Sequence, residues 1–465
     1  MKNILKRTIA LVLACLMLVG LAACGGDTQP DSTQPSASDD PNVKNLQGRR
    51  IRIALWWDEF WDSNYQTLDQ VEAAAGSIED TEVMQMKLDK IREIERKWNC
   101  EIEWVNMGWS GIQESLNTAV VAGTPECDIY LCASAWALSI ITNGYAQKFT
   151  DYAPADSDIL TDNNIFQTYA PLGYEGYLFN SASIYPGGAT YLAYNKTMLD
   201  SLGLEDPNVL AERGEWTYEK FAEYLNKCVQ DTNTDGTPDV YGYGSASIDT
   251  IRGFLASNNV ELAGSAKEGL SSEASIEAWN FIDRIYNIDK SARPYQSNWE
   301  DDRDAIYKGK VVFSFVHQTT LAGAASRVDH QIYICPSPTG SFGDGTMSAP
   351  RASDMYFIPT GVEDPTSVYC IFEEMNNWYN GDFSYRDNPS YWEGMFQTQE
   401  QLDLAIELGF KDNSTDIWES IDTRGAVNDV FNQVVINRAM TVAQAIESNK
   451  QILQSEIDAF LNPEE

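Results

Sequence analysis

Histidine is nearly missing from this chain of 465 residues: only His317 and His330 are present. So few imidazoles argue against a zinc centre of the histidine-rich kind. Positive charge is scarce as well. The 32 Lys and Arg residues stand against 69 Asp and Glu, a net charge of −37. A chain this acidic repels the phosphate backbone, which excludes nucleic acid as a partner. It also weighs against anionic ligands while favouring solubility. No G-x-S-x-G, H-E-x-x-H or P-loop pattern occurs, so the usual nucleophile, metalloprotease and nucleotide motifs are absent. No C-x-x-C pair occurs either. Cys100, Cys127, Cys132, Cys228, Cys335 and Cys370 read at least as well as buried free thiols as they do as a disulfide framework. Beyond Ala23, nothing approaches the ~20 consecutive apolar residues of a membrane-spanning helix.

What is present begins with a leader. Lys2, Lys6 and Arg7 precede an apolar run from Ile9 to Ala23, interrupted by Cys15 and Gly20. This order of charged and apolar regions is that of an export signal. The run ends Leu21-Ala22-Ala23-Cys24, with Gly25 and Gly26 after it. That tetrad resembles the lipobox of bacterial lipoproteins, which implies cleavage before Cys24 and a lipid on its thiol. Residues 1–23 are therefore read as a signal peptide. Residues 24–47 follow as a flexible tether, because up to Asn45 they hold no large apolar residue except Val43. Loss of the leader would leave 29 basic residues and a net charge of −40. The body is expected to be soluble and merely anchored.

The remaining residues, from about 48 to 465, exceed what one core usually holds, so two domains are expected. Residues 50–56 read as an opening strand. Met86 to Trp98 place Leu88, Ile91, Ile94 and Trp98 at helical spacing. Residues 101–105 alternate as a strand, Ile112 to Val121 are helical, and residues 127–133 form a short apolar strand. This alternation predicts an α/β lobe with a mostly parallel sheet. Further on, residues 189–195, 311–316 and 331–336 are strand-like. Thr217 is placed to cap a helix, and residues 272–287 and 368–379 are helical. A last helical region runs from about Gly425 to Leu461.

Several segments in this order resemble one family. They are Gly123-Thr-Pro-Glu-Cys-Asp-Ile-Tyr, Gly144-Tyr-Ala-Gln-Lys-Phe-Thr-Asp-Tyr, the run from Tyr185-Pro to Tyr194-Asn-Lys, Gly203-Leu, Trp216-Thr-Tyr-Glu-Lys-Phe, and Tyr307-Lys-Gly-Lys-Val-Val-Phe. Together they resemble the extracellular solute-binding proteins of bacterial ABC importers, in the sugar group that includes the maltose-binding proteins. The resemblance spans nearly the whole chain. It implies a two-lobed α/β fold of the periplasmic-binding type (type II), with the ligand in a cleft between lobes. It puts lobe 1 at 48–155 plus 331–380, and lobe 2 at 160–325 plus 385–465. It further implies a monomer on the outer face of the cell membrane, capturing a carbohydrate and passing it to permease subunits. Gly188 stands where the family has an acidic cleft residue, so a maltose-type ligand is not implied. A receptor for a peptide or other polar organic solute is the alternative. A secreted glycoside hydrolase is the rival class; many carboxylates in so acidic a chain carry no information about it.

Sugar recognition needs aromatic faces for C–H surfaces and fixed polar groups for hydroxyls. The chain holds 13 Trp and 23 Tyr. Open α/β sheets present their ligands just past strand ends. The candidates there are Trp56, Trp57 and Asp58 (with Glu59, Phe60, Trp61 and Asp62 next), then Trp109, Ser134 and Trp136. Farther on come Tyr185, Ser247, Asp249, Trp299 (with Asp301 and Asp302), His317, Gln318, Arg351 and Asp354 (with Ser353 between). Trp98, Trp216, Trp279 and Trp378 sit in helical contexts and are expected to pack. Residues 231–239 read D-x-N-x-D-G-x-x-D, like the first nine positions of a calcium loop. Asp231, Asn233, Asp235, Thr237 and Asp239 are the candidate ligands for one structural calcium, the only cofactor expected. Position 12 is Gly242, not glutamate.

Overall fold

The computed structural model describes residues 43–76, 80–161, 175–180, 189–296, 298–321, 328–343, 354–387, 396–411 and 418–461. The leader, Cys24 and most of the expected tether lie outside the described residues. Residues 44–465 form one compact unit. The body begins earlier than the expected end of the tether at residue 47. Lys44 pairs with Asp364 at 2.8 Å, and the Leu46 N–H donates to the Trp98 carbonyl at 2.8 Å.

Strand β1 (Arg49–Leu55) buries Ile51, Ile53, Ala54 and Leu55 completely, as a parallel strand covered on both faces must. It pairs in parallel with β2 (Cys100–Asn106) and β3 (Ile129–Cys132). Helix α1 (Thr81–Trp98) makes the first crossover and buries Leu88, Ile91, Ile94 and Trp98, the stripe that the sequence shows. It starts at Thr81 rather than Met86 because the Asp80 carboxylate caps it, accepting the N–H groups of Glu82 and Val83 at 3.1 Å. Helix α2 (Gly108–Ser115) continues as one π turn, Leu116–Val120. Helix α3 (Ser134–Thr142) follows β3.

The second sheet is built from β4 (Thr190–Asn195), β5 (Tyr241–Tyr243), β6 (Val311–His317) and β7 (Ile332–Cys335), in the order β5-β6-β4-β7. Strand β4 runs antiparallel to both β6 and β7, whereas β5 runs parallel to β6. Here the expected boundary is corrected. Residues 331–380 were placed together in lobe 1, yet β7 pairs with β4 in the second sheet, Leu192 opposite Cys335. Thr339 stays with that lobe too, exchanging backbone bonds with Trp216 and Tyr218. The chain rejoins the first sheet only at β8 (Met355–Phe357), antiparallel to β3. An apolar alternation reads the same whichever sheet receives it, so the pairing partner was not visible in the sequence.

Helix α4 (Tyr218–Cys228) is capped by the Thr217 hydroxyl, as expected, which accepts the Lys220 N–H at 3.3 Å. Helix α5 (Ser247–Ala256) lies directly on β6. A Cβ at Gly253 would stand 2.3 Å from the Phe315 ring, so this approach requires glycine. Helix α6 (Glu273–Asp283) buries Trp279, and Trp98 and Trp216 are likewise core residues. Helix α7 is Pro365–Asn376. Helix α8 (Trp418–Ile421) precedes the expected C-terminal helical region, which is itself broken into α9 (Ala426–Phe431), a π turn and α10 (Val442–Leu461). Arg438 takes a positive φ of 50° between them, and the Thr441 hydroxyl accepts the Gln444 N–H to restart the helix.

All six body cysteines are free and buried. Burial pushes the Cys100, Cys127 and Cys228 thiols up to about 12, which leaves them unreactive. Among the described residues no helix is long and apolar enough to cross a membrane.

Candidate functional site

Strands β1, β2 and β3 run parallel, so their carboxyl ends emerge at one edge of the first sheet. Trp56, Trp57, Trp109, Ser134 and Trp136 follow those ends. Strand β8 runs the other way, with Met355 opposite Cys132, and this brings Asp354 to the same edge. In the second sheet, β5 and β6 end together, carrying Ser247, Asp249 and His317 to one edge. These nine residues line a single cleft of about 1710 Å³ between the sheets.

The first-lobe wall is indole. Trp56 stands 5.6 Å from Trp57, 5.1 Å from Trp109 and 5.9 Å from Trp136, ring centre to ring centre. Trp109 and Trp136 are 4.2 Å apart. Trp57 is 39% exposed and Trp109 47%. Indoles left that open, inside a concavity, mark a surface made for contact. The Trp57 ring is held by its Nε1–H, which donates to Glu59 at 3.0 Å. Helices α3 and α5 both start at this cleft with an alanine N-cap, Ala133 and Ala246, and neither has a capping side chain. Their first-turn N–H groups are donors that a ligand oxygen can take.

The floor is charged. The Arg252 guanidinium on α5 grips the Glu419 carboxylate of α8 at two points, 2.5 and 2.6 Å, and reaches Asp249 at 3.4 Å. Burial would lower the charge of Arg252, but Glu419 and Asp249 more than restore it. One guanidinium cannot satisfy every carboxylate here. Desolvation pushes Asp249 up to about 6 against the pull of Arg252, with Glu419 repelling it. Asp354 is pushed to about 6 by the same burial and the same repulsion. Asp354 opens on the cleft water, which screens its shift; Asp249 is 3% exposed and has little such screening. Helix α8 also ties back to the first lobe, the Ser420 hydroxyl donating to the Ser134 carbonyl.

Other candidates fall elsewhere. Asp58 accepts the Asn106 side-chain N–H at 2.8 Å and lines a smaller hollow of about 370 Å³ with Glu59, Phe60 and Asp62. Trp61 faces away too, its ring 5.5 Å from the Lys87 ammonium. Gln318 is buried behind β6, its N–H donating to Ala189. Asp301 and Asp302 are drawn to Arg293, at 2.5 and 3.7 Å. Trp299 opens the helix Trp299–Asp304, but its side chain lies outside the described residues, as do Tyr185, Arg351 and Ser353. Sequence reading missed Arg252, Trp418, Glu419 and Asp422, all of which line the cleft. Arg252 was within reach, one helical turn beyond Asp249 on the same face. The other three come from a distant segment with no local signal.

The 231–239 loop closes on itself. Asp231 accepts the N–H groups of Asp235 and Gly236, Asn233 accepts that of Asp235, Asp235 accepts that of Thr237, and Asp239 accepts from Thr232 and Asn233. Among the described residues, no three acidic, His or Cys groups stand close enough to hold a metal ion. The oxygen-rich loop thus suits calcium in its chemistry and in the Gly236 turn, φ 89°, but its carboxylates do not converge as they stand.

A family model described as bacterial extracellular solute-binding protein matches residues 91–366. None of the curated protein sequences compared matches. Many solved structures do. An ABC transporter solute-binding protein of Thermotoga lettingae, bound to α-D-tagatose, has a TM-score of 0.60 at 12% identity, covering 88% of this chain and 100% of its own. The Listeria monocytogenes substrate-binding protein in complex with cycloalternan gives 0.62 at 12% identity, covering 88% and 99%. The maltose/maltodextrin-binding domain of Bdellovibrio bacteriovorus, bound to maltotriose, gives 0.56 at 14% identity, covering 89% and 99%. At such identities the likeness is one of fold.

Proposed function

The chain belongs to the bacterial extracellular solute-binding proteins, and from that premise we propose that its cleft captures a carbohydrate, an oligosaccharide, for an ABC importer. The observation that carries this reading is the pairing of an indole wall with a polar floor across one cleft. Indoles take the C–H face of a sugar ring, and carboxylates and helix-end N–H groups take its hydroxyls. The volume suits several sugar units rather than one. The sugar and polyol ligands bound by structurally similar proteins agree with it. The site acts by binding and closure, with no nucleophile–base pair in the proposal.

In the same proposal the protein is lipid-anchored at Cys24 on the outer face of the membrane. It works as a monomer and delivers its ligand to the permease subunits. The order of charged, apolar and lipobox-like residues before Gly25 supports the anchor. We also propose a structural calcium ion at 231–239, held by Asp231, Asn233, Asp235, the Thr237 carbonyl and Asp239, far in sequence from the cleft elements of lobe 1.

A thermal-shift screen against a glycan panel, followed by calorimetry and product analysis, tests the function. Stoichiometric binding of an oligosaccharide without products is the expected result. Turnover would make it a hydrolase. A response to peptides or other polar solutes alone would replace the carbohydrate reading with a different receptor.

A further inference from the structure

The charges on the cleft floor do not balance, and the imbalance has one sign. Arg252 interacts with three carboxylates: Glu419, Asp249 and Asp354. Glu419 takes both of its close contacts, and Asp249 receives only the longer one of 3.4 Å. The Asp354 carboxylate has no hydrogen bond or ion pair to a side chain among the described residues. Negative charge therefore remains in excess in a cleft that four indoles also line, Asp354 from the indole side and Asp249 from the second lobe. The positive end of α5 offsets part of one, since Asp249 sits in its first turn. Arg303 also acts on Asp249 from a distance, but it is bonded to Asp304 at 3.0 Å.

Closing the lobes expels water, and uncompensated carboxylates become costly in a dry site. Carboxylates and indole faces have one ligand feature in common: both attract a cation, the first by charge and the second by the ring quadrupole. The uncapped start of α3, on the other hand, offers N–H donors to oxygen. A group that satisfies all three is a sugar unit carrying hydroxyls and an ammonium.

Resting on the carbohydrate reading above, we propose that the ligand is an amine-bearing saccharide, its ammonium group held by Asp249 and Asp354 beside the Trp56–Trp109–Trp136 cluster. Glu419 and Arg252 complete the floor as a neutral pair. The overall charge of the chain, −37, also draws such a ligand toward the protein.

The test is calorimetry at pH 7.5 with matched saccharides: glucosamine oligomers, their N-acetylated forms, and the glucose oligomers of the same linkage, with the galactose series beside them. The amine members should bind at least tenfold more tightly than their neutral partners. That advantage should shrink as salt is raised, and Asp354→Asn should weaken the amine members at least tenfold more than their neutral partners. Neutral members binding as tightly as the amines would overturn the charge inference and leave the carbohydrate receptor standing. So would an amine preference that survives in both Asp354→Asn and Asp249→Asn. If no saccharide of either kind binds, both readings fall together.

Discussion

Arg252 and Glu419 lie far apart in sequence, on α5 and α8, and meet in a two-point ion pair at 2.5 and 2.6 Å beneath the cleft. Their side chains are only 14% and 11% exposed. Removing one partner strands the other charge in a poorly hydrated place. Arg252→Ala, which leaves Glu419 and Asp249 without their cation, should therefore cost roughly 3 kcal/mol of stability, and replacing Arg252 and Glu419 together with apolar residues of similar size should recover part of it. Urea unfolding of the three proteins checks this. A single variant as stable as the parent would show that the pair is solvated and weak.

Trp109 is half open to solvent, and its ring lies tilted against Trp136, the centres 4.2 Å apart. Trp109→Ala should weaken ligand binding by about 2 kcal/mol, more than tenfold. Its cost in stability should stay near 1 kcal/mol, the scale of one aromatic pair. Trp57→Ala should behave likewise. Equal losses of affinity and stability would mean that the indoles hold the lobe together rather than the ligand.

Acid should stabilise the ligand-free protein, within limits. Burial pushes Asp249 up to about 6, above the ordinary carboxylate value of 3.8; the Asp354 shift has the same sign but is screened by its exposure. A raised folded-state pKa gives stability that is complete below about pH 4 and is lost as pH rises through 6. Surface carboxylates act in reverse: Lys220 and Lys227 hold Glu223 at about 2, a contribution lost in strong acid. The melting temperature should therefore be higher at pH 5 than at pH 7.5, and fall again below pH 4. Asp249→Asn should flatten the first of these slopes. A melting temperature that climbs steadily from pH 5 to 7.5 contradicts the buried-carboxylate argument.

Calcium at 231–239 has to turn Asp231 and Asp235 away from their own N–H partners. If it does, chelator should lower the melting temperature, and Asp231→Ala should abolish the effect. Binding to the native state alone stabilises by about 2.7 kcal/mol at a hundredfold excess over Kd. No response to chelator, with no calcium by elemental analysis, leaves the loop as a self-capped turn.

Cys24→Ala should release the protein from cell membranes into the medium, because the tether then has no lipid. Retention in the membrane fraction, as in the parent, removes the lipoprotein reading.

The sequence by itself determined most of the local structure. The Leu88–Ile91–Ile94–Trp98 stripe made α1, Thr217 capped α4, and the apolar runs at 51–55, 190–195 and 311–316 became buried strands. Aromatic and polar residues clustered after strand ends were legible as site candidates, because parallel strands deliver their carboxyl ends to one edge. Composition also marked the acidic balance, whereas whether the six body cysteines pair was open until the fold left them free and buried. The tertiary structure alone decided the partners. It moved β7 to the second sheet, since a four-residue apolar strand fits either sheet equally well. It turned Asp58 toward Asn106 and out of the cleft, and brought Glu419 and Trp418 in from the far end of the chain. Periodicity reports which face of an element is buried. It does not report what buries that face, and a cleft built from distant segments is defined by those unseen partners.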